Sequence, residues 1–333
     1  MPDTEQHVVL ARAPLRVSLA GGGTDLPSYA AKFGGRVVSV AINRYVGVVV
    51  HPREFSGRLR VTTDTIDHSG HINDLPDPVA RACLRRVGLT GAARVATFGD
   101  APSGSGLGGS GALTVSLVHA THVGLSRREI AERASAVEMT DLGRPVGKQD
   151  HYMAAYGGLR LLDFHEDGRV DVRDLGVEPP VVAALDQRLL LFHTGGRHDS
   201  GSVLSEQVRR TLLGEPEVLG LLHRIRELAD EMVDCLLRGA VDEVGGLLDA
   251  HWAAKSRLGS RVSTGRAERL WAEARAAGAT GGKLLGAGGG GFLLVHCPPE
   301  RQDDLRRAMR ALDAAELPFG FAPSGSMVAR LPV

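Results

Sequence analysis

The sequence predicts an α+β fold in two parts, and two observations carry that prediction. The first half opens on long β-branched runs and continues with strands and helices in irregular order. It lacks the regular strand–helix alternation that builds a doubly wound parallel sheet. The second half changes character after Pro179-Pro180, where helical stretches follow one another before the chain returns to strands. At 333 residues, 43% of them hydrophobic, the chain is long enough for a large core and for more than one domain. The boundary falls between 165 and 185, dividing the chain into 1–175 and 176–333.

The elements follow in order. Residues 1–7 are polar and form a loose start. Val8–Leu19 and Val37–Val50 are rich in β-branched residues and predict strands, with the turn-rich Ala20–Pro27 between them. A short strand at Leu59–Thr63, a helix over Pro78–Val87 and a strand over Arg94–Phe98 lead to a glycine-rich segment, Pro102–Gly111. The apolar run that begins at Ala112 predicts a helix to Val123. Ser126-Arg-Arg-Glu129 is a capping box opening a further helix to Leu142, stopped by Gly143, Pro145 and Gly147. Leu159–Phe164 and Val170–Val172 predict a hairpin turning at Glu166-Asp-Gly168. A strand at Arg188–His193 precedes helices at Ser200–Leu213, Pro216–Leu237, Val241–Leu258 and Arg266–Ala277, the last stopped by Gly278. The strand Phe292–Cys297, the helix Pro299–Leu312 and the strand Met327–Leu331 complete the chain.

Composition excludes several classes. Lys+Arg and Asp+Glu both total 39, so no global field draws the chain to nucleic acid or an anionic membrane. No long uncharged apolar run or signal-peptide pattern occurs, and a cytoplasmic location is expected. Cys83, Cys235 and Cys297 are isolated, and they read as small buried thiols rather than a disulfide frame or zinc site.

Pro102–Gly111 carries the first functional signal. Five of its ten residues are glycine and a helix follows directly. Such a loop lets backbone N–H groups approach an anion at the positive end of a helix dipole. A tight strand-to-helix turn without ligand fits the same residues. Two further glycine clusters occur at Gly21–Gly23 and Gly286–Gly291. GxGxxG matches twice, at Gly104-x-Gly106-x-x-Gly109 and Gly286-x-Gly288-x-x-Gly291, but such matches are cheap in a chain with 43 glycines. The first lies far from the opening strand, and the second runs into a strand instead of a helix, which opposes a Rossmann oxidoreductase. Walker A fails, because Gly147-Lys148 and Gly282-Lys283 are followed by Gln and Leu.

Read together, the clusters resemble the GHMP kinases, the superfamily of galactokinase, homoserine kinase and mevalonate kinase. Ala13-Pro-Leu-Arg-Val-Ser-Leu-Ala-Gly-Gly-Gly-Thr-Asp25 resembles the first motif, Pro102–Gly111 the second and Lys283–Phe292 the third, in order over nearly the whole chain. Within the superfamily, GGGTD, Gly147-Lys-Gln-Asp150 with Ala154-Ala-Tyr-Gly-Gly158, and GGKLLGAGGGGF look most like the heptose-7-phosphate kinase branch. Fucokinase-like kinases of unphosphorylated sugars are near neighbours. The resemblance implies an N-terminal domain with a left-handed β-α-β unit and a C-terminal ferredoxin-like domain, with the active site between them. It also implies ATP and Mg²⁺ as cofactors and phosphorylation of the anomeric hydroxyl of a heptose 7-phosphate. The expected partners are that sugar phosphate and ATP, with a homodimer as the oligomer to test for.

Phosphoryl transfer needs positioning and charge neutralisation. The expected triphosphate cradle is Pro102, Gly104, Ser105, Gly106, Leu107, Gly108, Gly109, Ser110 and Gly111. The resemblance makes Ser110 and Glu138 the Mg²⁺ ligands, where the residues alone also allow an N-cap serine and an edge-of-core acid. It places the catalytic aspartate at Asp150, with Arg16 as its cationic partner. A helix N-cap and a strand-edge arginine are the plain alternatives. Gly22, Gly23, Thr24 and Asp25 are assigned to the sugar pocket, where two glycines replace the bulkier pair of galactokinase-like GEHTD. Arg44, Lys148 and Arg197 are candidates for holding a distal phosphate. Gly288 and Gly289 of the third motif are expected to shape the wall. The second motif departs from the usual GLGSSAA at Gly109 and Gly111.

Overall fold

The two long strands of the sequence, β1 (His7–Ala20) and β2 (Gly35–His51), pair antiparallel at the centre of an eight-stranded sheet in the computed structural model. Residues 7–52, 57–64, 66–195, 200–259, 262 and 265–332 are described. The sheet order is β11-β1-β2-β5-β3-β4, with the β6–β7 hairpin (Leu159–Phe164 and Val170–Asp174) docked on the first half of β2. β3 (Leu59–Thr62) and β5 (Arg94–Gly99) run parallel, joined through β4 (Asp67–Gly70) and helix α2 (Pro78–Arg86). The β1–β2 register slips between Pro14 and Leu15 and again between Ser18 and Ala20. These irregularities bracket Arg16 and Ser18, and such bulges re-aim side chains.

Helices α3 (Gly109–Thr121) and α5 (Gln149–Tyr156), and further along α8 (Pro216–Leu237), all pack on β1 and β2. The Ser126–Glu129 capping box opens α4 (Arg127–Ala136) with both reciprocal hydrogen bonds formed. A wide π turn over Val137–Asp141 follows, where the sequence predicts continued α-helix. Besides α5 and β4, two helices escape the sequence reading, α1 (Pro27–Phe33) and α6 (Pro179–Arg188). Both helices begin on proline. Pro27 and Pro179-Pro180 read as punctuation, yet proline is favoured in a first helical turn, where its missing N–H costs nothing.

The second sheet has the order β8-β10-β9 (Leu189–His193, Phe292–His296 and Gly281–Leu284), all antiparallel. Its two faces alternate as a strand period requires. Leu190, Phe192, Leu293 and Val295 pack with Leu270 of α10 (Gly265–Ala276) and with Leu305 and Met309 of α11 (Gln302–Ala311). Leu189, Leu191, Phe292 and Leu294 join the main core instead. The last strand, β11 (Met327–Pro332), returns to pair with β1. The three cysteines are buried and free, as the sequence predicts.

One buried group on β10 gives the fold a pH limit. Burial, helped by Arg188, pushes the imidazole of His296 down to about 4. The unfolded chain therefore takes up this proton first as pH falls below ~6.5. The stability involved, about 3 kcal/mol, is fully present above that pH and is lost as pH falls toward 4. Urea unfolding across pH 4–7 is expected to show this slope, flattened in His296→Gln.

Candidate active site

The glycine-rich segment opens α3 as a bare loop. Gly108 occupies the N-cap position in a left-handed conformation with no side-chain cap. Ser110 is therefore the second residue of the helix and not its cap, with its side chain exposed. Pro102, Gly104, Ser105, Gly106, Gly108, Gly109 and Ser110 all line a cavity of about 710 Å³. The first N–H groups of a helix lack partners within it, so this end of α3 suits an anion.

The third motif is built against the second. A Cβ on Gly286 would sit 2.5 Å from Gly106 Cα, and one on Gly106 would sit 2.6 Å from the Leu285 carbonyl oxygen. Only glycines permit this approach, since both also have positive φ (82° and 68° for Gly106 and Gly286). Phe292 N–H donates to the Ser105 carbonyl at 3.2 Å and closes the contact. Gly288 lines the cavity beside Gly286, whereas Gly289 is used to bind the Val262 carbonyl through its N–H (2.7 Å).

Glu138 emerges from the π turn, 2% exposed, and faces the same cavity. π turns recur at functional sites because they push one residue out of helical register. Its carboxylate accepts hydrogen bonds from Arg144 Nη1 (3.2 Å) and from the Ser110 hydroxyl, and lies 3.2 Å from His151 Nε2. Burial alone would raise this carboxyl. The hydrogen bond and charge of His151, then Arg144 and Ser110, outweigh burial and hold it below the ordinary value.

Asp150 stands in the first turn of α5, facing β1. Arg16, 5% exposed, reaches it with Nε at 2.8 Å and Nη2 at 2.6 Å, both on Oδ1. The third nitrogen, Nη1, donates to the Gly106 carbonyl, and the Arg16 N–H donates to the Leu107 carbonyl at 3.0 Å. One guanidinium thus ties the acid to the glycine loop. Leu107 itself turns into the core. Gly111 points away from the cavity and lies against Asp150, where a Cβ would come 2.7 Å from the Asp150 Cβ.

The same cavity has a polar part near Asp150. Asp25 lines it, its carboxylate accepting from Gly23 N–H (3.2 Å) and Gln149 N–H (3.3 Å). Burial first, and then the neighbouring charge of Asp150, raise the Asp25 carboxyl. Gly22 and Gly23 form the adjoining wall with Ser18, Gln149 and Gln207. The Ser18 hydroxyl has no hydrogen-bond partner among the described residues.

Besides Gly289, three sequence-assigned substrate residues are not brought to the cavity. Thr24 is buried and bonds the Gly21 and Arg36 carbonyls through its hydroxyl, so it fixes the turn. Lys148 is turned away, its ammonium held by Glu132 (2.8 and 2.9 Å) and by the Gly168 carbonyl (2.9 Å). Arg44 bonds its neighbour Asn43 on the outside of β2. Arg197 lies outside the described residues. Among the described residues, the lysines and arginines that do line the cavity are Arg16, Arg144, Lys255 and Lys283.

Similarity to known proteins agrees with this geometry. Residues 74–158 match the GHMP kinases N terminal domain, and 232–315 match the GHMP kinases C terminal domain. A mevalonate kinase of Methanothermobacter thermautotrophicus is 30% identical over 295 residues, covering 86% of this chain and 90% of that protein. The chain belongs to the GHMP kinases. As a GHMP kinase it is a phosphotransferase with an alcohol acceptor, and kinases of this family take their phosphoryl group from ATP. The D-glycero-alpha-D-manno-heptose 7-phosphate kinase of Campylobacter jejuni is 29% identical over 332 residues, covering 95% of this chain and 97% of that one. A solved D-glycero-D-manno-heptose 1-phosphate kinase from Bacteroides thetaiotaomicron superposes with TM-score 0.78 at 27% identity, covering 98% and 100% of the two chains.

Several cavity residues of this GHMP kinase are given no role by the motifs, yet their signals are physical. Ser18 lies two residues from Arg16 on a strand and so shares its face. Lys255 continues the buried helical stripe Val244, Leu248, His251 on α9 (Val244–Lys255), where a charged residue stands out.

Proposed function

We propose that this kinase phosphorylates the anomeric hydroxyl of a heptose 7-phosphate, giving a 1,7-bisphosphate. The observation that carries this reading is the Arg16–Asp150 pair, set between the glycine loop and a pocket walled by Gly22, Gly23 and Asp25. Similarity along nearly the whole chain to a heptose 7-phosphate kinase supports it. Two glycines in that wall leave room for a larger sugar. Asp25, Ser18 and Gln207 supply hydrogen-bond partners for hydroxyls. Segments 1–175 and 176–333 serve as its N- and C-terminal domains, and the cytoplasm is its place of work. No helix among the described residues is long and apolar enough to cross a membrane.

The chemistry follows from the residues. The start of α3 and the loop Gly104–Ser110 receive the triphosphate through backbone N–H groups. Val46, Ile66, Pro76 and Val79, with Phe98 at the rim, offer an apolar wall for the base. Asp150 takes the proton of the sugar hydroxyl as its oxygen attacks the terminal phosphorus. The bond to the bridging oxygen breaks, and ADP leaves with the electron pair. Arg16 pairs with Asp150 and faces the charge that develops on the phosphoryl oxygens. Ser110 and Glu138 fit Mg²⁺: they offer oxygen donors only and touch through a hydrogen bond. Among the described residues no cluster of three or more His, Cys, Asp or Glu could hold a metal alone, which suits an ion that completes its shell with phosphate and water. When bound, the ion neutralises phosphate charge.

The test is ATP consumption over a panel of free sugars, sugar 1-phosphates and sugar 7-phosphates, with phosphorus NMR to locate the new phosphate. Turnover of a heptose 7-phosphate with a new anomeric signal is expected. Turnover of free fucose or arabinose alone would replace this reading by the fucokinase-like one. A plant fucokinase/GDP-fucose pyrophosphorylase matches 89% of this chain at 26% identity.

A further inference from the structure

Lys255 is 6% exposed, yet it lines the cavity. Its ammonium donates to the Gly286 carbonyl, and no carboxylate lies within ion-pair distance of it among the described residues. Gly286 is the residue that rests on Gly106, and the Gly106 carbonyl is held by Arg16. Arg16 and Lys255 therefore grip the two sides of one backbone contact, next to Asp150. Lys283 on β9, 1% exposed, adds a third basic side chain, bonded to the Leu19 carbonyl at 3.3 Å. The charges of Asp25 and Asp150 reach Lys255, and Asp150 is already paired with Arg16. A buried ammonium without a counter-ion is costly, and the wall of this cavity carries that surplus where an anion would relieve it.

We propose that Lys255 is a catalytic residue of this kinase, its ammonium binding the non-bridging oxygens of the phosphoryl group as it passes from donor to sugar, opposite Arg16. The position selects the transferred group rather than a distal phosphate on the sugar. Lys255 sits at the seam between the donor loop and Asp150, and feels the charges of Arg16, Asp25 and Asp150 together. The ammonium gives up no proton in this step. The hydroxyl proton goes to Asp150, and the electron pair leaves with ADP. The inference rests on membership of the kinase family and not on which sugar is the acceptor, so the tests use whichever sugar the panel turns over.

Burial first, and then the Arg16 charge, lower the ammonium to about 8, with Asp25 and Asp150 opposing. The other titratable groups around it are His251 on the same face of α9 and Lys283, both held well below their ordinary values. Lys255→Met is expected to lower kcat 10²–10³-fold while both KM values stay within threefold. Its affinity for ADP should be kept, while affinity for ADP–aluminium fluoride with sugar falls at least 30-fold. Equal affinities of the variant and the wild type for that mimic would overturn the proposal, as would an equal loss for ADP and for the mimic. Should Lys255→Met not fold, the wild-type enzyme decides. Its kcat/KM is expected to fall about tenfold per pH unit above pH 8 as the ammonium is lost, and a profile flat to pH 9.5 would overturn the assignment.

Discussion

Asp150→Asn is expected to lower kcat by about 10²–10⁴-fold, the range associated with a positioned general base. Asparagine keeps the shape of the side chain and an oxygen that can still accept from Arg16 Nε and Nη2. It removes the negative charge that takes the hydroxyl proton. Because Arg16 is also bonded to the Gly106 and Leu107 carbonyls, the guanidinium should stay in place and ATP affinity should change little. Loss of charge beside a buried arginine will lower Tm somewhat, since the remaining cation loses its counter-ion. Single-turnover rates with saturating ATP and sugar separate the two effects, because a stability loss does not slow chemistry in the folded fraction. Combining this change with Arg16→Met should add much less than the product of the two losses, as expected for groups that act as a unit. Activity within threefold of wild type in Asp150→Asn would remove the proposed role.

The sequence made the long elements legible. Strand pairs such as β1–β2 and β6–β7 announce themselves through β-branched runs and a clear turn. It could not give the π turn that carries Glu138, because hydrogen-bond slippage within one turn leaves no trace in apolar spacing. The site was legible where short motifs lie on one loop. Arg16, Asp25, Asp150, Glu138 and most of Gly104–Ser110 do meet at one cavity. Lys148 misled because basic residues in a motif invite an anion, whereas its ammonium is satisfied by Glu132, sixteen positions away in sequence. Lys255 shows in the sequence only as a charge on an otherwise apolar helical stripe, and Gln207 not at all, because the second half of the chain delivers both to the site through long-range helix packing.

The departures at Gly109 and Gly111 now separate into two different cases. Gly111→Ala restores the residue usual in the second motif, and by propensity alone it would favour α3 by up to ~1 kcal/mol. Here the added Cβ would lie 2.7 Å from Asp150 Cβ and 3.2 Å from both the Asp150 carbonyl carbon and the His151 nitrogen. Two of these three are backbone atoms of α5, so no side-chain rotation relieves the clash. Overpacking of this kind costs about 1–3 kcal/mol, which outweighs the propensity gain. The relief is a displacement of the α5 start that carries Asp150 away from Arg16, and misplacement approaching 1 Å at a reacting group can cost on the order of 10²-fold. Gly111→Ala is thus expected to lower both Tm and kcat, the latter by roughly 10–100-fold. At Gly109 an added Cβ meets nothing within 4 Å. Gly109→Ser, which restores the usual serine, should keep kcat within about threefold and leave Tm equal or slightly raised. Comparing the two variants separates local packing from motif identity. If identity governed, both would be harmless or beneficial, and an active, stabilised Gly111→Ala would contradict the close approach of α3 to Asp150 as the reason for glycine there.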